Sequence, residues 1–155
     1  MLWTLALPLL LAATPADVGW REITAGLPVV EVRRLASTEC FPFLVDNTNS
    51  YYCDQDRTIY LGGDYTNQDG VALFLIFHEL GHAQEERLPL RFEDKFPSEQ
   101  YADCVAGQYM RQHPWITEDD REEARDLLRD QWPTESHGTP AQRIAAFDDV
   151  PGVCS

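Results

Sequence analysis

Apolar residues follow two different patterns along the chain. Residues 28–35 and 57–61 carry β-branched side chains in short, partly alternating runs, as β-strands do. Further on, residues 71–86 are mostly apolar, and apolar or small residues recur at helical spacing over residues 99–110. Capping patterns indicate two more helices, at residues 117–131 and 139–149. We therefore predict a single domain of the α+β class, in which a short sheet packs on the helix at 71–86 and further helices surround it.

Turn-forming and capping residues separate these elements. Three stretches have the composition of loops or turns, at residues 41–50, 64–70 and 88–96. The polar residues of the second stretch stand where they would cap the helix that follows. Thr117 with Asp120, and Thr139 with Gln142, form capping-box patterns, and Pro140 occupies a first helical position. These patterns mark the starts of the last two helices.

The helix at 71–86 carries the most informative motif. It is apolar on all sides, as a buried helix is, and then reads His-Glu-x-x-His from His78 to His82. Residues four apart lie on one helix face, so His78 and His82 present both imidazoles to one point, as two ligands of a zinc ion must. Glu79 lies next to that face, within reach of a proton on a metal-bound water. The motif predicts a zinc site with Glu79 as the general base.

A catalytic zinc ion needs a third protein ligand. A metzincin would supply a histidine at position 88 after a glycine at 85, but this chain has Leu88 and Glu85, which excludes that arrangement. The next helix offers Glu99 as the ligand, with Asp103 one turn later accepting a hydrogen bond from the far nitrogen of a ligand histidine. The reverse assignment, in which Asp103 is the ligand and Glu99 is not, stays open.

A hydrolytic site also benefits from a donor to the oxygen that gains charge when water attacks a carbonyl. His137, just before the last helix, is the candidate, because His78 and His82 are already assigned and His113 stands at an exposed-looking helix end. A loop histidine bonded to the backbone is the alternative interpretation of His137. Tyr60 and Tyr101 are weaker candidates for the same role.

The charge balance restricts the partners. The 155 residues include 12 Lys and Arg against 26 Asp and Glu, a net charge of −14. An acidic protein of this kind is a poor partner for nucleic acid or for an anionic membrane surface. We expect neither as a partner.

The first residues read as an export signal. Residues 1–16 are almost entirely apolar and end in the small residues Thr14, Pro15 and Ala16. A short uncleaved anchor is the alternative, and it is the sole route by which we expect contact with a membrane. We predict a signal at 1–16, one domain at 17–155, and a secreted or periplasmic location.

Export changes the interpretation of the four cysteines. Cys40, Cys53, Cys104 and Cys154 contain no C-x-x-C pair, so paired disulfides are favoured over a cysteine-ligated zinc site. Three connectivities are possible. Pairing Cys40 with Cys53 closes a short, turn-rich loop and leaves Cys104 with Cys154, which would tie the end of the chain to the core.

Four blocks of the sequence, taken in order, resemble the neutral zinc metallopeptidases of bacteria. They span about residues 40–154, at positions 52–61, 78–82, 99–107 and 137–143, although Asp54 and Ala83 depart from that family's usual residues. The resemblance implies a gluzincin-like peptidase fold with one zinc ion per chain. Its ligands would be His78, His82 and Glu99.

The sequence thus predicts a zinc-dependent metallopeptidase that acts on a peptide or protein substrate. Two rival hypotheses stay open. In the first, the metal is structural and a fourth ligand, for which His137 is available, closes the site. In the second, the protein is an exported interaction module without metal.

Overall fold

The computed structural model describes residues 19–32, 50–87, 92–149 and 154. Within these ranges the fold is α+β, with five helices and one three-stranded sheet, as predicted. The elements in chain order are α1 (Trp20–Ile23), β1 (Val29–Val32), β2 (Tyr51–Cys53), β3 (Thr58–Gly62), a 3₁₀ turn (Gly63–Tyr65), α2 (Asp69–Glu85), α3 (Lys95–Gln112), α4 (Glu118–Asp130) and α5 (Pro140–Phe147).

The sheet has β3 at its centre. β1 pairs with β3 in parallel, and β2 pairs with β3 antiparallel through a turn in which Arg57 has a φ of 56°. Ile59 and Leu61 on β3 are buried in the core, where they join Leu73 and Phe74 of α2. β3 lies one residue later than the strand predicted at 57–61, and neither β2 nor α1 was predicted. Residues 33–35, the end of the first predicted strand, lie outside the described residues.

α2 runs through the middle of the domain and is buried on nearly every side, as its continuous apolar sequence predicts. Its start differs from the expectation, because Gln68 at the N-cap makes no side-chain capping bond. Instead Asp69, in the first turn, accepts a hydrogen bond from the backbone N–H of Trp20 at 3.1 Å. Asp69 therefore anchors α1 to the first turn of α2.

Aromatic and aliphatic side chains from all the long helices fill the core. Phe74 of α2 meets Phe147 of α5 edge to face, with ring centroids 5.7 Å apart. Met110 of α3 and Leu128 of α4 are fully buried in the same cluster. This packing joins α2, α3, α4 and α5 around one core.

α2 and α3 approach closely because of a glycine. A Cβ added to Gly81 would lie 2.7 Å from the Cα of Ala102, so a side chain at this position would push the two helices apart. α3 also begins at Lys95, four residues before the predicted start. Pro97 is compatible with this, because the N–H groups of a first helical turn have no partner within the helix. The earlier start corrects the loop predicted at 88–96, of which 88–91 lie outside the described residues.

A disulfide joins Cys104 on α3 to Cys154 near the end of the chain, which confirms that predicted pair. Cys53 is also disulfide-bonded, and Cys40, the partner predicted for it, lies outside the described residues. So does the predicted signal at 1–16. Among the described residues no helix is long and apolar enough to cross a membrane.

Candidate metal centre

The C-terminal half of α2 presents two imidazoles to one point. His78 and His82 lie one turn apart, and their Nε2 atoms are 3.3 Å from each other. The side chain of His78 is 7% exposed and that of His82 is 24% exposed, so the pair lies at the edge of the core. The predicted one-face arrangement of the two histidines is confirmed.

Glu99 of α3 brings a carboxylate to the same point. Its Oε2 atom lies 3.1 Å from His78 Nε2 and 3.7 Å from His82 Nε2. Among the described residues, His78, His82 and Glu99 form a group whose ligand atoms all lie within 4.8 Å of one another. These three residues are positioned to bind a metal ion.

The environment of Glu99 Oε2 fits a metal ion. This oxygen is buried and makes no hydrogen bond of normal geometry with any described residue. A buried carboxylate oxygen without such a bond carries a free-energy cost that a coordinated cation would remove.

Asp103 contacts His78 on the side of the ring that is opposite Glu99. It is fully buried, and its Oδ1 is 2.9 Å from His78 Nδ1, the nitrogen that faces away from Glu99. Such a contact fixes the orientation and the tautomer of a ligand histidine. In this arrangement Glu99 has the position of the third ligand, and Asp103 has the position of the supporting acid.

Arg143 of α5 holds Asp103 in place. Its guanidinium donates to both carboxylate oxygens, from Nη2 to Oδ1 and from Nε to Oδ2, each at 2.8 Å. It also bonds to Gln131 and lies over the ring of Phe74. The sequence analysis did not single out Arg143. The sequence did contain one indication: the capping box of Thr139, which is present in the structure, fixes the start of α5 and so places Arg143 near the beginning of that helix.

The charges in this network shift one another. Burial by itself lowers the pKa of His78, but its hydrogen bond with Asp103 and its contact with Glu99 raise that pKa to about 10. Burial raises the pKa of Asp103, whereas Arg143 and His78 outweigh burial and lower it. These shifts favour a protonated His78 beside ionised carboxylates, so a metal ion bound at Nε2 would have to displace a proton.

Glu79, the predicted general base, lies at the same end of α2. The residue is 7% exposed, and burial raises the pKa of its carboxyl above the ordinary value, against the opposing effect of His78 and His82. A carboxylate with a raised pKa is a better proton acceptor than an exposed one, which is what a general base requires.

His82 has its own supporting contacts. Its Nδ1 lies 3.4 Å from Ser98 Oγ and 3.7 Å from Glu85 Oε2, and Ser98 bonds to Glu85. Both histidines therefore have a polar partner on Nδ1, while Nε2 of each lies near Glu99. Ser98 and Glu85 were not predicted in this role, because the contact joins two helices.

His137 reaches the centre from the loop before α5. Its Nε2 lies 3.2 Å from Glu99 Oε2, and its side chain is 40% exposed. It does not belong to the group of three ligand atoms described above. Burial lowers the pKa of His137, which favours the neutral ring.

Tyr60 and Tyr101 were the weaker candidates for the donor to the carbonyl oxygen. Tyr60 donates its hydroxyl to Asp56, and Tyr101 packs against Phe92.

An open cavity adjoins the centre at His82. Its volume is about 400 Å³. The residues that line it are mostly acidic or aromatic: Tyr52, Asp54, His82, Glu85, Glu86 and Phe92. A larger cavity of about 520 Å³, between α3 and α5, contains none of the three metal-binding residues. An open cavity therefore lies beside the three candidate metal-binding residues, on the His82 side.

Comparison with known proteins assigns no family. No protein-family model, curated protein or solved structure matches the chain. The likeness to neutral zinc metallopeptidases therefore depends on the four sequence blocks alone, and the function has to be argued from the site.

Proposed function

We propose that this protein is a zinc-dependent metallopeptidase, with His78, His82 and Glu99 as ligands and Glu79 as the general base. The observation that carries the proposal is the spacing of the three donor atoms. Zinc bonds of about 2.0–2.1 Å in tetrahedral geometry place neighbouring donors about 3.3 Å apart. The three separations in the structure are 3.1, 3.3 and 3.7 Å.

The donor set favours zinc over the harder cations. Two imidazole nitrogens and one carboxylate are typical zinc ligands, whereas calcium and magnesium select oxygen donors. Since no fourth His, Cys, Asp or Glu among the described residues joins the group, three ligands with a fourth position available for water are favoured. That is the arrangement of a catalytic site, and the closed structural site would need a fourth ligand.

The residues around the centre supply the remaining chemistry. Zinc bound there would polarise the scissile carbonyl and lower the pKa of a water molecule to about 7. Glu79 accepts a proton from the attacking water and passes it to the nitrogen of the leaving amine. His137 donates from Nε2 to the carbonyl oxygen as charge develops on it.

The proposed location is outside the cytoplasm. The disulfide between Cys104 and Cys154 supports this, because such bonds persist in oxidising compartments. The test is the N-terminal sequence of the protein recovered from the cell exterior or periplasm. Cleavage near Ala16 is expected, and recovery of the uncleaved chain with the cytoplasmic fraction would contradict the proposal.

The decisive experiment combines metal analysis with a cleavage assay. Wild type and Glu79→Gln are each expected to hold about one zinc ion per chain. In an internally quenched peptide library, Glu79→Gln should cleave at least about 100-fold more slowly than wild type. Glu122→Gln, an exposed change on α4, is the matched control and should behave as wild type.

The same assay separates the rival hypotheses. Zinc bound by a wild type that cleaves no peptide would favour a structural metal. A wild type that binds no zinc would contradict both zinc hypotheses and favour a metal-free interaction module.

A further inference from the structure

The cavity beside His82 shares a wall with the candidate metal centre. Its volume of about 400 Å³ is within the range that is typical of ligand pockets. His82 is both a candidate metal ligand and a residue of the cavity wall. A peptide that is cleaved at this centre would therefore have a residue near the cleaved bond within reach of the cavity.

The wall of the cavity is acidic. Asp54, Glu85 and Glu86 line it, and no lysine or arginine is among the described lining residues. Glu85 is already engaged, because it accepts a hydrogen bond from Ser98 and lies 3.7 Å from His82 Nδ1. The side chains of Asp54 and Glu86 are exposed. These two carboxylates are the ones that a charged ligand in the cavity would meet.

Two aromatic residues, Tyr52 and Phe92, complete the wall. Lysine and arginine have long apolar stems that pack against such rings, while the charged end reaches a polar or acidic group. Burial and then Glu86 raise the pKa of Tyr52, so the charge of Glu86 acts on this ring. Arg57 and Arg87 oppose that shift, but neither of them lines the cavity. The combination of rings and carboxylates suits an organic cation.

A bare metal ion is a poorer fit to this wall. Within the part of the chain that the structure describes, one group of three residues brings its ligand atoms within 4.8 Å of one another, and that group is the candidate metal centre. The acidic residues of the cavity form no such group. A metal ion needs several oxygen ligands at one point, whereas a cationic side chain can be attracted by carboxylates that stand apart.

Acidity alone does not identify a substrate cavity in this chain, whose net charge is −14. Another cavity, of about 330 Å³, is lined by four acidic residues together with Tyr65, Gln68, Val71 and Leu127. It contains none of the three candidate metal-binding residues. The proposal therefore depends on the position of the first cavity beside His82, and the other cavity supplies its control.

We propose that the cavity at His82 binds a lysine or arginine side chain of a peptide substrate, near the cleaved bond. Asp54 and Glu86 are then specificity-determining residues. The proposal rests on the proposed function, since it assigns a substrate class to the same site.

Matched peptides test the preference for a cation. In internally quenched peptides, each position in turn on either side of the cleaved bond carries arginine or citrulline, its neutral analogue of nearly the same shape. At one position, kcat/KM of zinc-loaded wild type should be about fivefold to tenfold higher for arginine, and added salt should reduce this ratio. Equal values at every position, or a preference for glutamate, would overturn the proposal.

Paired substitutions locate the preference. In the Asp54→Asn, Glu86→Gln double variant, the ratio of arginine to citrulline should fall to within about twofold of unity. The matched double variant Asp126→Asn, Asp130→Asn makes the same change in charge at exposed positions of the other acidic cavity, and should keep the wild-type ratio. An unchanged ratio in the first variant, or an equal loss in both, would overturn the assignment to the cavity at His82.

A binding measurement separates this proposal from the proposed function. Fluorescence anisotropy gives the Kd of Glu79→Gln for a labelled peptide of each kind, and the arginine peptide should bind about fivefold more tightly. If wild type cleaves no peptide but this difference in Kd is found, the proposed function is contradicted and the cavity proposal stands. If wild type cleaves peptides without any preference for arginine, the cavity proposal is contradicted and the proposed function stands.

Discussion

Two charged networks in this protein have nearly the same bond lengths and opposite surroundings. In the first, behind the metal-binding residues, Asp103 bonds to His78 at 2.9 Å and to Arg143 at 2.8 Å. In the second, on the outer face of α4, Glu118 pairs with Arg121 at 2.7 Å and with Arg125 at 2.9 Å. Distance alone does not distinguish them.

Burial distinguishes them. The side chains of Asp103 and Arg143 are 0% and 5% exposed, whereas Glu118 is 63% exposed. If a partner is removed from an exposed pair, water replaces it; if a partner is removed from a buried pair, an uncompensated charge stays in the core. We therefore expect the first network to control both stability and the metal centre, and the second to contribute little to either.

The largest expected effect comes from removing Arg143. Arg143→Met leaves the carboxylate of Asp103 buried without its fork of donors, and should cost about 3–5 kcal/mol in the free energy of unfolding. The measurement is urea denaturation followed by circular dichroism. The matched change Arg129→Met, at an exposed ion-paired position on α4, should cost less than about 1 kcal/mol. Equal losses at the two positions would contradict the comparison.

The next effect concerns metal affinity. Glu99→Gln removes the carboxylate that lies close to Nε2 of both histidines, and zinc affinity should fall by more than the 10- to 100-fold that is typical of the loss of a supporting partner. Asp103→Asn, at the supporting position, should cost about 10- to 100-fold. Both values follow from competition with a chromophoric chelator, with circular dichroism to confirm folding. The reverse order would assign Asp103 as the third ligand.

The sequence was most informative where contacts are local. His78 and His82 are four residues apart on one helix, so the helical repeat alone predicts that they converge. The capping boxes of Thr117 and Thr139 are equally local, and both are present in the structure. The convergence of the two histidines and the starts of the last two helices could therefore be predicted without knowledge of the packing.

Contacts between distant segments were harder to predict. Arg143 lies 40 residues after Asp103, and no periodicity connects them. The pairing of β1 with β3 in parallel likewise depends on how the chain packs. The start of α3 was missed because Pro97 reads as the end of a loop, although a proline is tolerated in a first helical turn. Local patterns predicted that the two histidines of α2 converge, whereas their contacts with Asp103 and Arg143 depend on tertiary structure.

Two matched cap removals test whether α5, unlike α4, is coupled to the centre. Thr117→Ala and Thr139→Ala each remove a side-chain acceptor from a capping box, and each should cost about 1 kcal/mol of stability. Since α5 carries Arg143, only Thr139→Ala should also weaken zinc binding, by about tenfold. Equal zinc affinities in the two variants would show that the start of α5 does not control the position of Arg143.

The smallest expected effect is at Glu118. Hydrogen bonds from Arg125 and Arg121 lower the pKa of its carboxyl below 4.5, so the charged form is the one that the folded state favours. The ionised Glu118 therefore stabilises the folded state above about pH 4.5. This stabilisation is lost as the pH falls through the lowered pKa that Glu118 has in the folded protein. Glu118→Gln should cost only about 0.2–1 kcal/mol at pH 7, because solvent screens an exposed pair. Urea denaturation at pH 7 and at pH 3 gives the difference in free energy of unfolding between wild type and Glu118→Gln. This difference should be smaller at pH 3 and in added salt. A loss as large as that of Arg143→Met would mean that the α4 network is structural despite its exposure.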